Sequence, residues 1–141
     1  MVNNPSLLLE EGVYKGYEFC IIHNGRGYRC GYFKVTPGHP YYGKDYSDLY
    51  EEVDVHGGLT FADKDYPCGR DNDDGWWLGF DCAHSLDAVD TSLPGDHHRM
   101  FDLFPELINS NYSKHATVKD NDYVRKNCFS GIESALRAEK S

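Results

Sequence analysis

Trp76-Trp77-Leu78-Gly79-Phe80 is an unbroken apolar run, and Asp81-Cys82-Ala83-His84-Ser85-Leu86-Asp87 follows it directly. An apolar run of this length predicts a central strand that is covered on both faces. The polar residues after it lie at the end of a rigid strand, where binding and catalytic groups are commonly held. The sequence therefore predicts that this stretch is central to the fold and close to a functional site.

A second stretch, Asp54-Val55-His56-Gly57-Gly58-Leu59-Thr60-Phe61, has a similar organisation. We interpret residues 53–56 as a strand, the two glycines as a bend, and residues 59–62 as the continuation of the strand. Together the two stretches concentrate potential chemistry in a short part of the chain, in the side chains of His56, Thr60, Asp81, Cys82, His84 and Asp87.

The sequence outside these stretches predicts a single α+β domain. Residues 17–23 and 28–35 are rich in strand-forming residues and flank the turn sequence Asn24-Gly25-Arg26-Gly27, which predicts a β-hairpin. Residues 1–12 are predicted to be a loose N-terminal segment, and residues 13–141 the domain itself. We expect a short helical turn at 46–52 and an irregular loop at 63–75. A short helix is expected between Asp96 and Pro105.

The C-terminal part of the chain predicts one long helix. Asp120-Asn121-Asp122 is a suitable N-cap cluster for a helix over residues 123–138. Its predicted buried stripe consists of Val124, Cys128, Ile132, Ala135 and Leu136. The expected fold is therefore a small, mostly antiparallel β-sheet with a C-terminal α-helix packed on one face.

Charge and cysteine content restrict the function. The formal charge of −9 argues against binding of nucleic acid or of an anionic membrane surface, because both need basic groups. No run of residues is long and apolar enough to span a membrane, and the N-terminus lacks a basic region, so we expect no export signal and a cytoplasmic protein. The cysteines are odd in number, five in all, and are expected to be reduced. Cys20 and Cys30 would face each other across the hairpin, and in an oxidising compartment they could form a disulfide.

Several types of site are compatible with the central residues. His56-Gly57-Gly58 places an imidazole beside backbone N–H groups that can bind an anion such as phosphate. His84 with Asp81 or Asp87 would form an acid/base pair, and Cys82 with His84 a nucleophile and base. A zinc site would combine the side chains of Cys68, Cys82, His56 and His84. The simpler alternative is that Asp81 caps a turn and Cys82 is a buried apolar residue.

The loop Gly38-His39-Pro40-Tyr41-Tyr42 is rigid and aromatic. Its tyrosines would stack on a base or another ring, or would instead cover the core as a structural lid. The acidic stretch at 71–74 has some features of a calcium loop but lacks the glutamate of its twelfth position, so we interpret it as solvated.

The chain resembles an uncharacterised family of small proteins common in bacteriophages and mobile elements. The shared motifs are Tyr28-x-Cys30-Gly31-Tyr32, Gly38-His39-Pro40 with Gly43, His56-Gly57-Gly58-Leu59-Thr60-Phe61, and Trp76-Trp77-x-Gly79-Phe80-Asp81-Cys82-Ala83-His84. The resemblance covers about residues 13–138. The chain differs from the family at Leu86, where the family typically has glycine. No family activity can be transferred. The resemblance implies an intracellular, phage-borne accessory protein, and small proteins of this kind often antagonise host defences.

Three functions follow as hypotheses. The first is a protein that binds a small nucleotide-like ligand, such as a cyclic nucleotide, and sequesters a host immune second messenger. Oligomerisation would help to complete such a pocket. The second is a hydrolase of a nucleotide-like substrate that uses His56 and His84 as acid and base, with Asp81 or Asp87 orienting them, and with or without zinc. The third is an acidic inhibitor of a host defence complex. The predicted ligand-binding residues are His39, Tyr41, Tyr42, His56, Gly57, Gly58, Thr60, Trp77, Asp81, His84 and Asp87.

Overall fold

The centre of the fold is an antiparallel sheet. The computed structural model describes residues 7–64, 74–83, 87–88, 90, 92–93, 103 and 117–140. Within these residues the strands of the main sheet are β1 (Leu7–Tyr14), β2 (Tyr17–His23), β3 (Arg29–Val35), β4 (Phe61–Asp63) and β5 (Trp76–Asp81). Their order across the sheet is β1-β2-β3-β5-β4, and every pairing is antiparallel.

The remaining elements are short, except for one helix. Strands β6 (Asp87–Ala88) and β7 (Thr117–Val118) form a small parallel pair. Helix α1 (Tyr46–Leu49) is a single turn, and helix α2 (Asn121–Glu139) lies against β2 and β3. The predicted α+β fold with its C-terminal helix is confirmed. Neither helix has the length and apolar character needed to cross a lipid bilayer.

The predicted hairpin is formed by β2 and β3. Gly25 and Gly27 have φ angles of 87° and 92°, a conformation that glycine adopts without strain. The buried His23 stabilises this turn, because its Nε2 accepts a hydrogen bond of 2.8 Å from the N–H of Gly27. Across the hairpin, Cys20 pairs with Tyr32 rather than with Cys30, and both cysteines are free thiols.

The prediction of a loose segment over residues 1–12 is wrong from Leu7 onward. Residues Leu7–Tyr14 pair with β2 as the edge strand of the sheet, with one register shift between Leu8 and Glu10. A two-residue turn, Lys15-Gly16, connects the strands, with φ angles of 49° and 88° that match the twist of paired strands. Glu10-Glu11-Gly12 suggests a flexible segment, but the glutamates lie on an edge strand where charged side chains are common.

Helix α2 begins and packs as the sequence predicts. The Asp120 side chain caps it by accepting a hydrogen bond of 3.0 Å from the N–H of Tyr123. Four of the predicted stripe residues are fully buried against the sheet, namely Val124, Cys128, Ile132 and Ala135, whereas Leu136 is partly buried. The buried Gly131 allows the helix to approach β3 closely, since a Cβ there would lie 2.6 Å from the Phe33 ring.

Strand β5 is covered on both faces, as predicted. Adjacent strand residues point to opposite faces, and both Trp77 and Leu78 are fully buried. Leu78 belongs to the core beneath α2, whereas Trp77 packs with Cys20 and Ile22 on the other face.

The segment between β3 and β4 differs in part from the prediction. Helix α1 confirms the expected helical turn. Residues 53–56 are irregular and not a strand, because the buried Val53 and Val55 pack into the α2 core instead of joining the sheet. The glycine bend is confirmed, with φ angles of 69° at Gly57 and 83° at Gly58. The strand that follows starts at Phe61. Most of the expected 63–75 loop, and all of the helix expected before Pro105 except Leu103, lie outside the described residues.

Candidate functional site

Five side chains meet beside the first turn of α2, and we call them the His56 cluster. They come from the loop before β4, the end of β5, strand β6, the segment after β7, and α2 itself. The members are His56, Cys82, Asp87, Lys119 and Tyr123. Segments far apart in the sequence thus deliver an imidazole, a thiol, a carboxylate, an ammonium and a phenol to one place.

A chain of hydrogen bonds crosses the cluster from solvent to the interior. The Tyr123 hydroxyl lies 2.7 Å from His56 Nδ1, and His56 Nε2 lies 2.9 Å from Asp87 Oδ2. Tyr123 is 36% exposed, whereas Asp87 is 1% exposed. A carboxylate only accepts hydrogen bonds, so Nε2–H donates to Asp87, which leaves Nδ1 to accept from the Tyr123 hydroxyl when the ring carries one proton. Asp87 therefore fixes both the orientation and the tautomer of His56.

Lys119 compensates the buried charge of Asp87. Its Nζ lies 3.1 Å from Asp87 Oδ1, and the Lys119 side chain is 12% exposed. The parallel register that pairs Asp87 with Thr117 brings the neighbouring Lys119 to this position. The same Nζ lies 5.5 Å from the centroid of the Tyr123 ring, within range of a cation–π contact.

Helix α2 also holds the backbone of the His56 loop. The N–H of His56 donates a hydrogen bond of 2.8 Å to Asn127 Oδ1, and the His56 and Tyr123 rings meet edge to face at 5.3 Å. These contacts anchor His56 from two sides, so that the imidazole is positioned by the helix as well as by Asp87.

The glycine turn is closed by protein groups. The N–H of Gly58 donates to the carbonyl of Val55 at 3.0 Å, so this donor is used within the turn. The Tyr50 ring lies against Gly58, where an added Cβ would come within 2.2 Å of it. The turn at Gly57-Gly58 therefore offers fewer backbone N–H donors to a phosphate than the sequence predicts.

Cys82 is not an activated nucleophile. Burial, followed by the nearby Asp87 carboxylate, raises the pKa of the Cys82 thiol to about 12. The reactive form of cysteine is the thiolate, which this environment disfavours. The Cys82 sulfur nevertheless belongs to a compact donor set, because the potential ligand atoms of Cys82, His56 and Asp87 all lie within 4.8 Å of one another.

Asp81 and Thr60 form a separate contact at the end of β5. Thr60 Oγ1 donates to Asp81 Oδ2 at 3.3 Å, and the N–H of Ala83 donates to Asp81 Oδ1 at 3.2 Å. Asp81 thus caps the turn after β5, which is the simpler of its two predicted roles. Asp87, the other predicted partner of the histidines, is the carboxylate that contacts His56.

The aromatic loop lies at the opposite end of α2. The His39 ring accepts from the N–H of Tyr41 at 2.9 Å, and its Nε2 lies 3.0 Å from the carbonyl of Ala135. Ala135 and Tyr123 are about 18 Å apart along the helix axis, at 1.5 Å per residue. The structure therefore does not bring His39 together with His56 in one pocket.

The tyrosines of this loop have different environments. Tyr41 is 3% exposed and donates through its hydroxyl to the carbonyl of Ser134 at 3.2 Å, which makes it part of the core. Tyr42 is exposed and its hydroxyl donates to the carbonyl of Asp74 at 3.3 Å. Trp77 is fully buried on the face of the sheet away from α2. Tyr41 and Trp77 are thus core side chains, while His84 and Cys68 lie outside the described residues.

A groove of about 720 Å³ lies at this same end of the helix, between the β1–β2 turn, the loop after β3 and the last turn of α2. Its lining includes Lys15, Tyr17, Lys34, His39 and Glu139, but no member of the His56 cluster. This groove and the convergence of buried polar groups are therefore different places.

Comparison of the chain with protein-family models, with curated proteins and with solved structures finds no match. The functional interpretation therefore depends on the chemistry of the described residues and on the sequence motifs.

Proposed function

We propose that this protein is a phage-type accessory protein that binds a small nucleotide-like ligand at the His56 cluster. The observation that carries the proposal is the hydrogen-bonded chain from the half-exposed Tyr123 through His56 to the buried Asp87. A buried charged group with its partners is weak evidence of stabilisation, because desolvation offsets much of the attraction. A binding function accounts better for a polar arrangement of this kind.

The half-exposed Tyr123 and two less exposed members of the cluster match the parts of a nucleotide. The Tyr123 ring offers a face on which a base can stack, a contact worth about 1–3 kcal/mol. The nearby Lys119 ammonium would attract a phosphate, and the His56 side chain, 17% exposed, can exchange hydrogen bonds with ligand oxygens. The acidic charge of the whole chain disfavours long nucleic acids, so a small ligand fits better.

The phage context comes from the sequence motifs. A protein that sequesters a host immune second messenger, such as a cyclic nucleotide, needs affinity without turnover. It would act in the cytoplasm of an infected or carrier bacterial cell, and self-association would enclose the ligand more fully than the half-exposed Tyr123 does alone.

The first experiment tests ligand and site together. The protein is incubated with a panel of cyclic mono- and dinucleotides, separated from free ligand, denatured, and the released ligand is identified by mass spectrometry. We expect intact nucleotide from the wild type. The His56→Ala variant should bind about tenfold or more weakly, because it removes hydrogen bonds in a partly buried site.

A matched substitution controls for general effects. Tyr46→Phe alters another exposed tyrosine, which lies in α1 outside the cluster, and should leave binding unchanged. Circular dichroism establishes that His56→Ala is folded. Wild-type affinity in a folded His56→Ala variant would exclude this site. Recovery of no nucleotide from the wild type, with capture of a host protein instead, would favour the acidic inhibitor.

The second candidate function is a hydrolase, and the 2.9 Å contact of His56 with Asp87 favours it. A carboxylate that orients an imidazole is the usual arrangement of a general base. In the same assay a hydrolase would release an altered nucleotide, and Asp87→Asn would slow its formation while ligand binding persists. Intact ligand after prolonged incubation with the wild type would exclude turnover of that nucleotide.

A further inference from the structure

We propose that His56, Cys82 and Asp87 form a zinc-binding site. The three residues supply a nitrogen, a sulfur and an oxygen, all of which are common zinc ligands. Their ligand atoms lie within 4.8 Å of one another. The site overlaps the proposed nucleotide site but does not depend on it, because metal binding is tested with the metal alone.

The separations suit a tetrahedral ion after small side-chain movements. Zinc lies about 2.0–2.3 Å from its ligands, so two ligand atoms of a tetrahedral site are about 3.3–3.8 Å apart. His56 Nε2 and Asp87 Oδ2 are 2.9 Å apart and must move slightly away from each other. The separations to Cys82 Sγ are at most 4.8 Å and must close by no more than about 1.5 Å, a change that rotation about side-chain bonds provides.

Both oxygen and nitrogen ligands already have the supporting contacts that metal sites use. When Nε2 binds the ion, its proton moves to Nδ1, which then donates to the Tyr123 hydroxyl 2.7 Å away. Asp87 binds through one oxygen while the other faces Lys119 Nζ at 3.1 Å. Such outer partners fix the orientation of metal ligands and raise their affinity.

The protein ligands also neutralise the charge of the ion. Binding releases the Cys82 thiol proton to solvent, because a coordinating thiol is deprotonated. One thiolate and one carboxylate then neutralise the zinc ion, and Lys119 leaves a single positive charge. The backbone N–H of Cys82 is fixed by a 2.9 Å hydrogen bond to the carbonyl of Arg29. Three protein ligands leave a fourth position for water or substrate, the pattern of catalytic zinc sites.

This donor set differs from the one that the sequence suggests. Cys68 and His84, which belonged to the sequence-based set, lie outside the described residues, and Asp87 takes a ligand position. The three residues come from different segments, so no regular spacing indicates them in the sequence.

The test uses cobalt(II) as a spectroscopic substitute for zinc. Metal-free protein is titrated with cobalt alone, and absorbance is recorded in the near-ultraviolet, where a thiolate–cobalt bond gives a charge-transfer band. We expect the band to saturate at a single ion per chain and to disappear when zinc is added. Cys82→Ser should abolish the band, and Asp87→Asn should weaken binding about tenfold or more.

Cys20→Ser is the matched control, because Cys20 is equally buried but lies on the other face of the sheet. It should retain the band. Absence of the band in the wild type, or its persistence in Cys82→Ser, would overturn the proposal. If Cys82→Ser does not fold, undiminished cobalt affinity in both Asp87→Asn and His56→Ala would do so. Since no nucleotide is present, failure here leaves the ligand-binding experiment unaffected.

Discussion

Gly131 lies within the longest helix, where alanine normally stabilises a protein by up to about 1 kcal/mol relative to glycine. At this position we expect the reverse. A Cβ would lie 2.6 Å from Phe33 Cε1 and 3.0 Å from Val55 Cγ1, so the helix or the sheet would have to move. Gly131→Ala should lower the free energy of unfolding by about 1–3 kcal/mol, as overpacking of a core does. Urea denaturation followed by circular dichroism measures the change.

Lys126→Ala serves as the reference, because Lys126 is exposed on the same helix. It should change the free energy of unfolding by less than about 0.5 kcal/mol. If Gly131→Ala were as stable as this reference or more so, the close packing of α2 on β3 described above would be incorrect.

Part of the candidate site can be predicted at the level of single residues. His56 and Asp87 stand out in the sequence because each belongs to a polar group that follows an apolar run. Lys119 and Tyr123 do not, because their position depends on the short parallel pairing of β6 with β7, which has no recognisable periodicity. The sequence also cannot decide between Asp81 and Asp87 as the partner of His56, since Asp81 ends a strand of the main sheet and Asp87 lies in the separate β6–β7 pair.

At the level of elements, the N-cap of α2 matters because the helix start carries Tyr123. Asp120→Ala removes the acceptor for the Tyr123 N–H and should lower the free energy of unfolding by about 1 kcal/mol. The looser first turn should also weaken ligand binding at the His56 cluster. Chemical denaturation and the ligand assay measure the two effects on the same variant.

Asp120→Asn retains a cap oxygen and provides the comparison. It should recover most of the stability lost in Asp120→Ala, because asparagine caps helices about as well as aspartate. Equal losses in the two variants would mean that the negative charge near the helix terminus, and not the cap hydrogen bond, provides the stabilisation.

The elements differ in how well local sequence predicts them. Helix α2 and the β2–β3 hairpin carry their own signals, a cap with a buried stripe and a glycine-rich turn. Strand β1 is hard to predict from Glu10-Glu11-Gly12, because an edge strand tolerates polar residues that usually indicate a loop. Residues 53–56 have the apolar alternation of a strand. Val53 and Val55 are nevertheless buried by packing beneath a helix and not by pairing in the sheet. An alternating apolar pattern predicts which side chains are buried. Whether they are buried by a strand or by a helix depends on the tertiary structure.

For the whole molecule, ion pairs join the sheet to the segments around α2. Glu10 of β1 accepts a hydrogen bond of 2.8 Å from Arg125 of α2, and this contact lowers the pKa of Glu10. Arg29 of β3 donates to Asp90 at 2.9 Å. Burial alone would raise the pKa of Asp90, but hydrogen bonds from Ser92 and Arg29 outweigh it and hold that pKa below the ordinary value of 3.8.

These lowered pKa values predict a loss of stability in acid. A carboxyl with a lower pKa in the folded state stabilises the fold fully above its unfolded-state pKa. The contribution is lost as pH falls through the folded-state pKa. For Asp90 the loss should therefore begin near pH 3.8 and continue below it. Urea unfolding at a series of pH values measures the slope.

Asp90→Asn tests the origin of that slope. It should lower the free energy of unfolding at neutral pH by about 1–2 kcal/mol, because a hydrogen bond to a charged group becomes a neutral one. The difference from the wild type should shrink as pH falls below 3.8, where Asp90 itself becomes protonated. A difference that stays constant across this range would contradict the assigned role of Asp90.

The order of the elements along the chain has a consequence for folding during synthesis. The apolar face of β2 and β3, with Phe19, Ile21 and Phe33, is covered by α2, which begins at Asn121, 86 residues after Val35. A ribosome adds about 5–20 residues per second, so this face stays exposed for about 4–17 s before α2 is synthesised. Nascent chains of this protein should therefore depend on chaperones that shield apolar surface, even though the finished fold encloses that surface completely.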